Sequence, residues 1–238
     1  MSSAGWWWVE LVRKLWIGVI GSLVMLVVLD FLAKAIVERK VAEAVQTRYE
    51  LSTEPEIDIH GFPFLAQAAT RRLDDVGVHA DTVQVAGVDL ARAELRMRDV
   101  RVQSASSAVA DEVDAQALIP YQELARLADE AGSDGLTFDY GGAPDVVAVR
   151  GVVEVLGREL DVVAFTEVKV DSSTLTLRTV RVEVEGEPAN QTLVDAIGDR
   201  FDLAIRVPEM FDLVRLTAVA VRPDGVEVGL TGSDIGIG

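Results

Sequence analysis

The sequence predicts an α+β protein in which a predominantly antiparallel sheet follows an N-terminal membrane helix. Three observations predict it. An uncharged apolar stretch runs from Leu15 to Leu29. From Val76 onward, apolar residues recur at every second position, the period of half-buried strands. The gaps between successive strand pieces are too short for the crossovers that parallel strands require.

With Asp30 near the boundary, the apolar run extends to Leu32, and its 18 residues make about 27 Å of helix against about 30 Å of hydrocarbon. Arg13 and Lys14 precede the run, and Trp6, Trp7, Trp8 and Trp16 cluster around them, as at a cytoplasmic interface with an aromatic belt. Residues 1–14 are therefore expected inside, 15–32 as a transmembrane anchor or signal segment, and 33–238 as one extracytoplasmic domain. Ala33-Lys34-Ala35 resembles a small-x-small cleavage site, but the run is long for a signal peptide, and an uncleaved anchor is the reading favoured. A buried core helix would need neither the basic flank nor the tryptophans.

Past the anchor, Ile36, Val37, Val41, Ala44 and Val45 recur at helical spacing, so the helix is expected to continue to Tyr49, and Glu54-Pro55-Glu56 to stop it. Val76, Val78, Val83, Val85, Val88 and Leu90 mark strand pieces. Ala93, Leu95 and Met97 then alternate with Glu94, Arg96 and Arg98, before the parity slips so that Val100 and Val102 continue. Such a slip reads as a bulge or bend. The pattern returns at Val149–Val155, Leu160–Ala164, Val168–Val170, Leu175–Leu177 and Val180–Val184. It closes with a hairpin around Pro223-Asp224-Gly225. Two short helices interrupt the strands: one opens at Pro120 and ends near Gly132, and one follows Asn190 with Leu193, Val194, Ile197 and Phe201 on one face.

Composition narrows function. Of 238 residues half are apolar and a quarter charged, which excludes disordered and low-complexity classes. Residues 41–238 hold 17 basic and 36 acidic side chains, net −19, so the main domain repels a polyanion and is no nucleic-acid binder. Without cysteine there are no disulfides, thiolate nucleophiles or cysteine-based metal sites. His60 and His79 lack the spacing of a metal helix. Ser104, Ser106 and Ser107 lack the turn of a nucleophilic serine, and no phosphate-cradling glycine motif is present. No catalytic residue, metal site or cofactor is expected.

Two features are candidates for binding. Arg96 and Arg98 share a strand face and suit an anionic headgroup, although pairing with Glu94, Asp89 and Asp99 on a solvated face is the reading the residues favour. Ile57 to Gln67 places Phe62, Phe64 and Leu65 around a glycine and a proline, where they either fill a core corner or line the entrance of an apolar cavity.

The stretch Gly61-Phe62-Pro63-Phe64-Leu65-Ala66-Gln67, behind an alternating strand and an anchor, resembles the actinobacterial LmeA-like phospholipid-binding family of the cell envelope. So do Ile119–Leu124 (I-P-Y-Q-E-L), Val149–Gly157 (V-R-G-V-V-E-V-L-G) and Ile205–Pro208 (I-R-V-P) ahead of the Pro-Asp-Gly hairpin. The resemblance spans about residues 30–232. It departs at Glu209-Met210-Phe211-Asp212-Leu213, where similar proteins tend to carry Leu-Pro and Gly-Leu.

The resemblance implies a TULIP-like fold, a long curled antiparallel sheet wrapped around a helix and enclosing an apolar tunnel. It also implies binding of phospholipid or a related acyl lipid, in support of envelope lipoglycan assembly or lipid transport. Phe62, Phe64, Leu65, Phe165, Phe201, Met210 and Phe211 are the expected lipid-contacting residues, with Arg96 and Arg98 for the headgroup. The alternative is a non-enzymatic envelope scaffold that binds a protein partner through its acidic face or a sheet edge. An enzyme acting on envelope lipids is a third reading.

Overall fold

A computed structural model describes residues 6–237 apart from 50, 86, 105–106, 156, 172–173, 193, 195–197, 199–200 and 207–213. The chain begins with one continuous helix, α1 (Trp6–Tyr49), about 66 Å long at 1.5 Å per residue. Its apolar first half and amphipathic second half are thus one rod. The stretch from Ile20 to Leu29 is uncovered by protein, and the helix is long and apolar enough to cross a membrane.

The first sheet runs β1-β2-β5-β6-β14-β13 and is antiparallel throughout. Its strands are β1 (Glu56–His60), β2 (Arg72–Ala80), β5 (Arg92–Ser104), β6 (Ser107–Pro120), β13 (Val214–Arg222) and β14 (Gly225–Ile237). The short helix α2 (Phe64–Thr70) joins β1 to β2, and the hairpin of β3 (Val83–Val85) and β4 (Val88–Leu90) joins β2 to β5. After β6 comes α3 (Tyr121–Glu130), then a second antiparallel sheet, β11-β10-β9-β8-β7. It comprises β7 (Thr137–Ala143), β8 (Val146–Val155), β9 (Arg158–Asp171), β10 (Thr174–Val184) and β11 (Glu187–Pro188), with β12 (Leu203–Arg206) paired to β10.

The expected parity slip is a real crease. Asp99 in β5 and Asp234 in β14 both adopt left-handed backbone, at φ 49° and 53°. On one side of the crease Leu95, Met97 and Val113 face inward; on the other Val100, Ala110 and Ile235 take over the same face. An inserted left-handed residue bends a strand and raises its twist, which curls the sheet toward α1. The α+β class and the curled antiparallel sheet against a helix are therefore present as expected.

Two cores result. Under the second half of α1, Ala42 packs with Ile57, Ile59, Phe64, Val76, Met97, Val100, Ala110, Val113 and Ile235. Between the sheets, Val147, Val149, Val162, Val182, Phe201, Val226 and Val228 close on one another, with Leu124 of α3 at one end.

Some expectations need adjustment. The buried ridge of α1 is Asp30, Ala33, Val37 and Ala42, whereas Ile36 and Val41 point outward. Small residues at Ala33 and Ala42, with Val37 between them, let the helix approach the strands closely. The sequence pattern missed β6, because its Ala- and acid-rich composition is poor in strand formers and its inward parity changes between Ala110 and Val113. It also missed α2 and β7. Leu193 and Ile197 of the helix expected after Asn190 lie outside the described residues.

Candidate functional site

The corner between β1 and β2 holds the Gly61–Gln67 motif, and Gly61, Phe64 and Gln67 have structural tasks there. The two carboxylate oxygens of Asp30, 5 % exposed, accept hydrogen bonds from the backbone N–H groups of Phe64 (2.9 Å) and Leu65 (2.7 Å). These are the first two residues of α2, where helical N–H groups lack intrahelical partners. Hydrogen bonds to a charged acceptor contribute about 1.5–3 kcal/mol each. Two turns along α1, Glu38 accepts from the N–H of Ile59 at 2.8 Å and pairs with Lys34 at 3.4 Å.

Gln67 ties the far side. Its amide nitrogen donates to the His60 carbonyl and its oxygen accepts from the Asp74 N–H at 2.9 Å, bridging the end of β1 to the start of β2. Gly61 makes this possible: at φ 107°, a Cβ there would lie 2.1 Å from the Gln67 amide nitrogen. Phe64, 3 % exposed, plugs the core beneath. Phe62 and Leu65, 64 % and 44 % exposed, point outward, and the Phe62 ring lies 6.5 Å from that of Phe31 on α1, itself 61 % exposed.

A second apolar feature crosses the inner face of the first sheet at the seam between the cores. The register aligns Val78, Leu95, Ala115, Leu230 and Leu216 in one row over five strands. Leu95 packs against the core under α1 and Leu230 against the core between the sheets, while Ala115 between them belongs to neither. Val78, Leu95, Ala115 and Leu230 remain half-buried. The next row, Ala80, Ala93, Ala117 and Val228, is likewise built on alanine. Four strand spacings make this row about 19 Å long, the reach of an extended acyl chain. The opposite face of the same strands carries His79, Glu94, Arg96, Asp114 and Gln116.

The arginines lie on that outer face. Arg96 makes a bidentate pair with Asp75, and Arg98 binds Glu112 at 2.6 Å and Asp114 at 3.5 Å. Their partners sit on neighbouring strands rather than at Glu94, Asp89 or Asp99: Glu112 lies directly opposite Arg98, whereas Arg96 reaches Asp75 and Arg98 reaches Asp114 diagonally across the ladder. The Arg96 hydrogen bond holds the Asp75 carboxyl below its usual range. An incoming headgroup would have to displace these carboxylates.

Elsewhere, Phe165 of β9 is half-buried with the Arg181 guanidinium 3.6 Å above its ring. Phe201, 1 % exposed, fills the space between the sheets. Met210 and Phe211 lie outside the described residues. The structure thus brings together Phe62, Phe64 and Leu65 and separates them from Phe165 and Phe201. Sequence reasoning missed Phe31 and Asp30 as parts of this corner, and missed the alanine row. Asp30 was legible as the acid inside an apolar run, a position that is costly unless the group has a partner.

A cleft of about 290 Å³ flanks β10, lined by Arg178, Thr179, Gln191, Val194 and Asp202 among others. Asp202 accepts from the Thr179 N–H and the Thr179 hydroxyl donates to the Gly198 carbonyl, so its walls offer an acyl chain little.

The other motifs are also structural. The Tyr121 hydroxyl donates to the Arg222 carbonyl, and a Cβ on Gly225 would lie 2.3 Å from the Ile119 carbonyl oxygen, so the I-P-Y-Q-E-L and Pro-Asp-Gly segments meet. Gly151 leaves room for Phe201 and Leu136, whose atoms would lie 3.3 and 2.8 Å from a Cβ. Buried Glu123 of α3 accepts from the Asp89 N–H and pairs with Arg126, and the Arg126 hydrogen bond lowers its pKa.

A family described as LmeA-like phospholipid-binding matches residues 28–231. No curated protein and no solved structure matches the chain.

Proposed function

Because the chain belongs to the LmeA-like phospholipid-binding family, we propose that it is a non-enzymatic, membrane-tethered protein that takes phospholipid or a related acyl lipid onto the alanine-centred row of the first sheet, which serves it as a shallow trough. The observation that carries the reading is the family match over most of the chain. The half-buried row Val78–Leu95–Ala115–Leu230 supports the place, since it is apolar, continuous across strands and only partly covered. Each methylene buried there contributes about 0.8 kcal/mol, so an acyl chain offsets the cost of leaving its neighbours. Tethering by α1 keeps lipid at high effective concentration without a basic surface.

The bulk of the chain faces the extracytoplasmic side in this reading, supported by Arg13 and Lys14 ahead of the apolar run. There it serves envelope lipid handling, either lipid transport or lipoglycan assembly. Native mass spectrometry of the full chain, released from mild detergent, tests binding. One phospholipid per chain is expected, falling several-fold in Ala115→Phe, which fills the trough. Consistently empty protein, or undiminished lipid in that variant, overturns the proposal, and an empty protein directs the search toward a protein partner on the acidic face.

A further inference from the structure

Deepening that reading, and resting on its membrane tether, we infer that the Gly61–Leu65 corner is itself embedded in the outer interfacial zone of the bilayer, with Phe62 and Leu65 as its inserted residues and Asp30 as the lock that fixes their depth. The argument is one of lengths. The apolar run ends at Leu32, and Asp30 lies two residues inside that end, about 3 Å along the axis. Both carboxylate oxygens of Asp30 hold backbone N–H groups of the corner at 2.9 and 2.7 Å. Whatever depth Asp30 occupies, Phe64 and Leu65 share it. A helix that fills the hydrocarbon with residues 15–32 therefore brings the corner to the boundary between hydrocarbon and headgroups.

The side chains suit that place. Phe62 and Leu65 are exposed large apolar residues, and Phe62 abuts exposed Phe31 on α1; the others exposed outside α1 among the described residues, Tyr140, Val152 and Val180, lie on the second sheet. They continue onto the domain the apolar surface that Ile20 to Leu29 present along the helix. Interfacially bound apolar side chains lie about 5–10 Å into the headgroup–acyl boundary. Lys34 and Glu38 start one turn further out, where water returns. No linker separates helix from domain, because α1 is continuous and packs on β1 and α2. The domain is thus pressed onto the membrane with a fixed face.

The full chain contains no cysteine, so single substitutions V24C, F62C, L65C and D224C can each carry one environment-sensitive fluorophore. The hairpin turn at Asp224 lies at the opposite end of the first sheet from the corner. Each labelled protein is reconstituted in phosphatidylcholine vesicles containing lipids with a nitroxide at shallow or deep acyl positions. The expected result is quenching at 24 by deep nitroxides and at 62 and 65 by shallow ones, several-fold above that at 224. Adding Asp30→Ala is expected to lower quenching at 62 while leaving 24 unchanged. Quenching at 24 with 62 and 65 no different from 224 overturns the embedded corner and leaves the tether standing. No quenching at 24 overturns both.

Discussion

Between the two sheets, Val147, Val149, Val162, Val182, Val226 and Phe201 close on one another, and the buried Thr166 hydroxyl is satisfied by the Val147 carbonyl. Under α1, the apolar residues are threaded with Asp30, Glu38 and Gln67, each holding backbone N–H groups of another element. The difference has a physical reason. Strands far from the bilayer are driven together by removal of apolar surface from water. At the end of α1 that adjoins the apolar run, a helix surface gains little by exchanging lipid for protein, so the hydrogen bonds of Asp30 carry the attachment there. Further along, Ala33 and Ala42 let the helix pack closely on the strands.

Removing Phe201 tests the closed core. Phe201→Ala is expected to cost about 3–5 kcal/mol in denaturant titration, as a large buried ring leaves a cavity. Amide exchange at Phe64 and Leu65 should change only through the global opening. Asp30→Ala is expected to do the converse. It leaves two N–H groups without their acceptor, costs about 3 kcal/mol, and speeds exchange first at Phe64 and Leu65. Asp30→Asn, which keeps one acceptor oxygen, should recover part of that protection. If both variants loosened both cores alike, the contrast would disappear.

A smaller effect is expected of Gln67→Leu. Losing the bridge between the His60 carbonyl and the Asp74 N–H costs about 1–3 kcal/mol, again visible as local exchange at Asp74. Smallest are the effects of pH. Asp75 and Glu123 titrate below their ordinary values of 3.8 and 4.5, each mainly through an arginine hydrogen bond. Their stabilisation is therefore complete above those ordinary values and is lost as pH falls through the lower folded ones. An acid titration of Arg96→Gln should show a shallower loss in that window. At the other end, burial pushes Tyr121 up to about 12, first by desolvation and then by Asp139 and Asp224. Its contribution is intact below 10 and declines toward 12, with an ultraviolet phenolate titration as the check.

Much of this was readable along the chain. The apolar run, the period-two strands from β2 to β5 and from β8 to β10, the bend near Asp99 and the final hairpin follow from spacing, because alternate residues of a strand must face opposite environments. The residues Phe62, Phe64 and Leu65 were legible as a group, but their division into one plug and two outward-facing side chains was not. That division depends on which way a glycine-turned corner presents each side chain, a property of φ and of the neighbouring strand rather than of hydropathy. β6 was hidden because alanine and acidic residues form a strand only when neighbours on both sides impose the ladder.

By itself the sequence determined a long apolar N-terminal helix, an antiparallel strand-rich body and a strongly acidic composition, since each is set by local composition and period. Tertiary structure alone decided that α1 is locked to the body by Asp30. It also decided that four strands align the half-buried Val78, Leu95, Ala115 and Leu230 in one row, and that Arg96 and Arg98 face away from it. Those outcomes depend on register and on contacts between segments more than a hundred residues apart. Two segments with the same local pattern can meet in many registers, and only the packed ensemble of strands selects one.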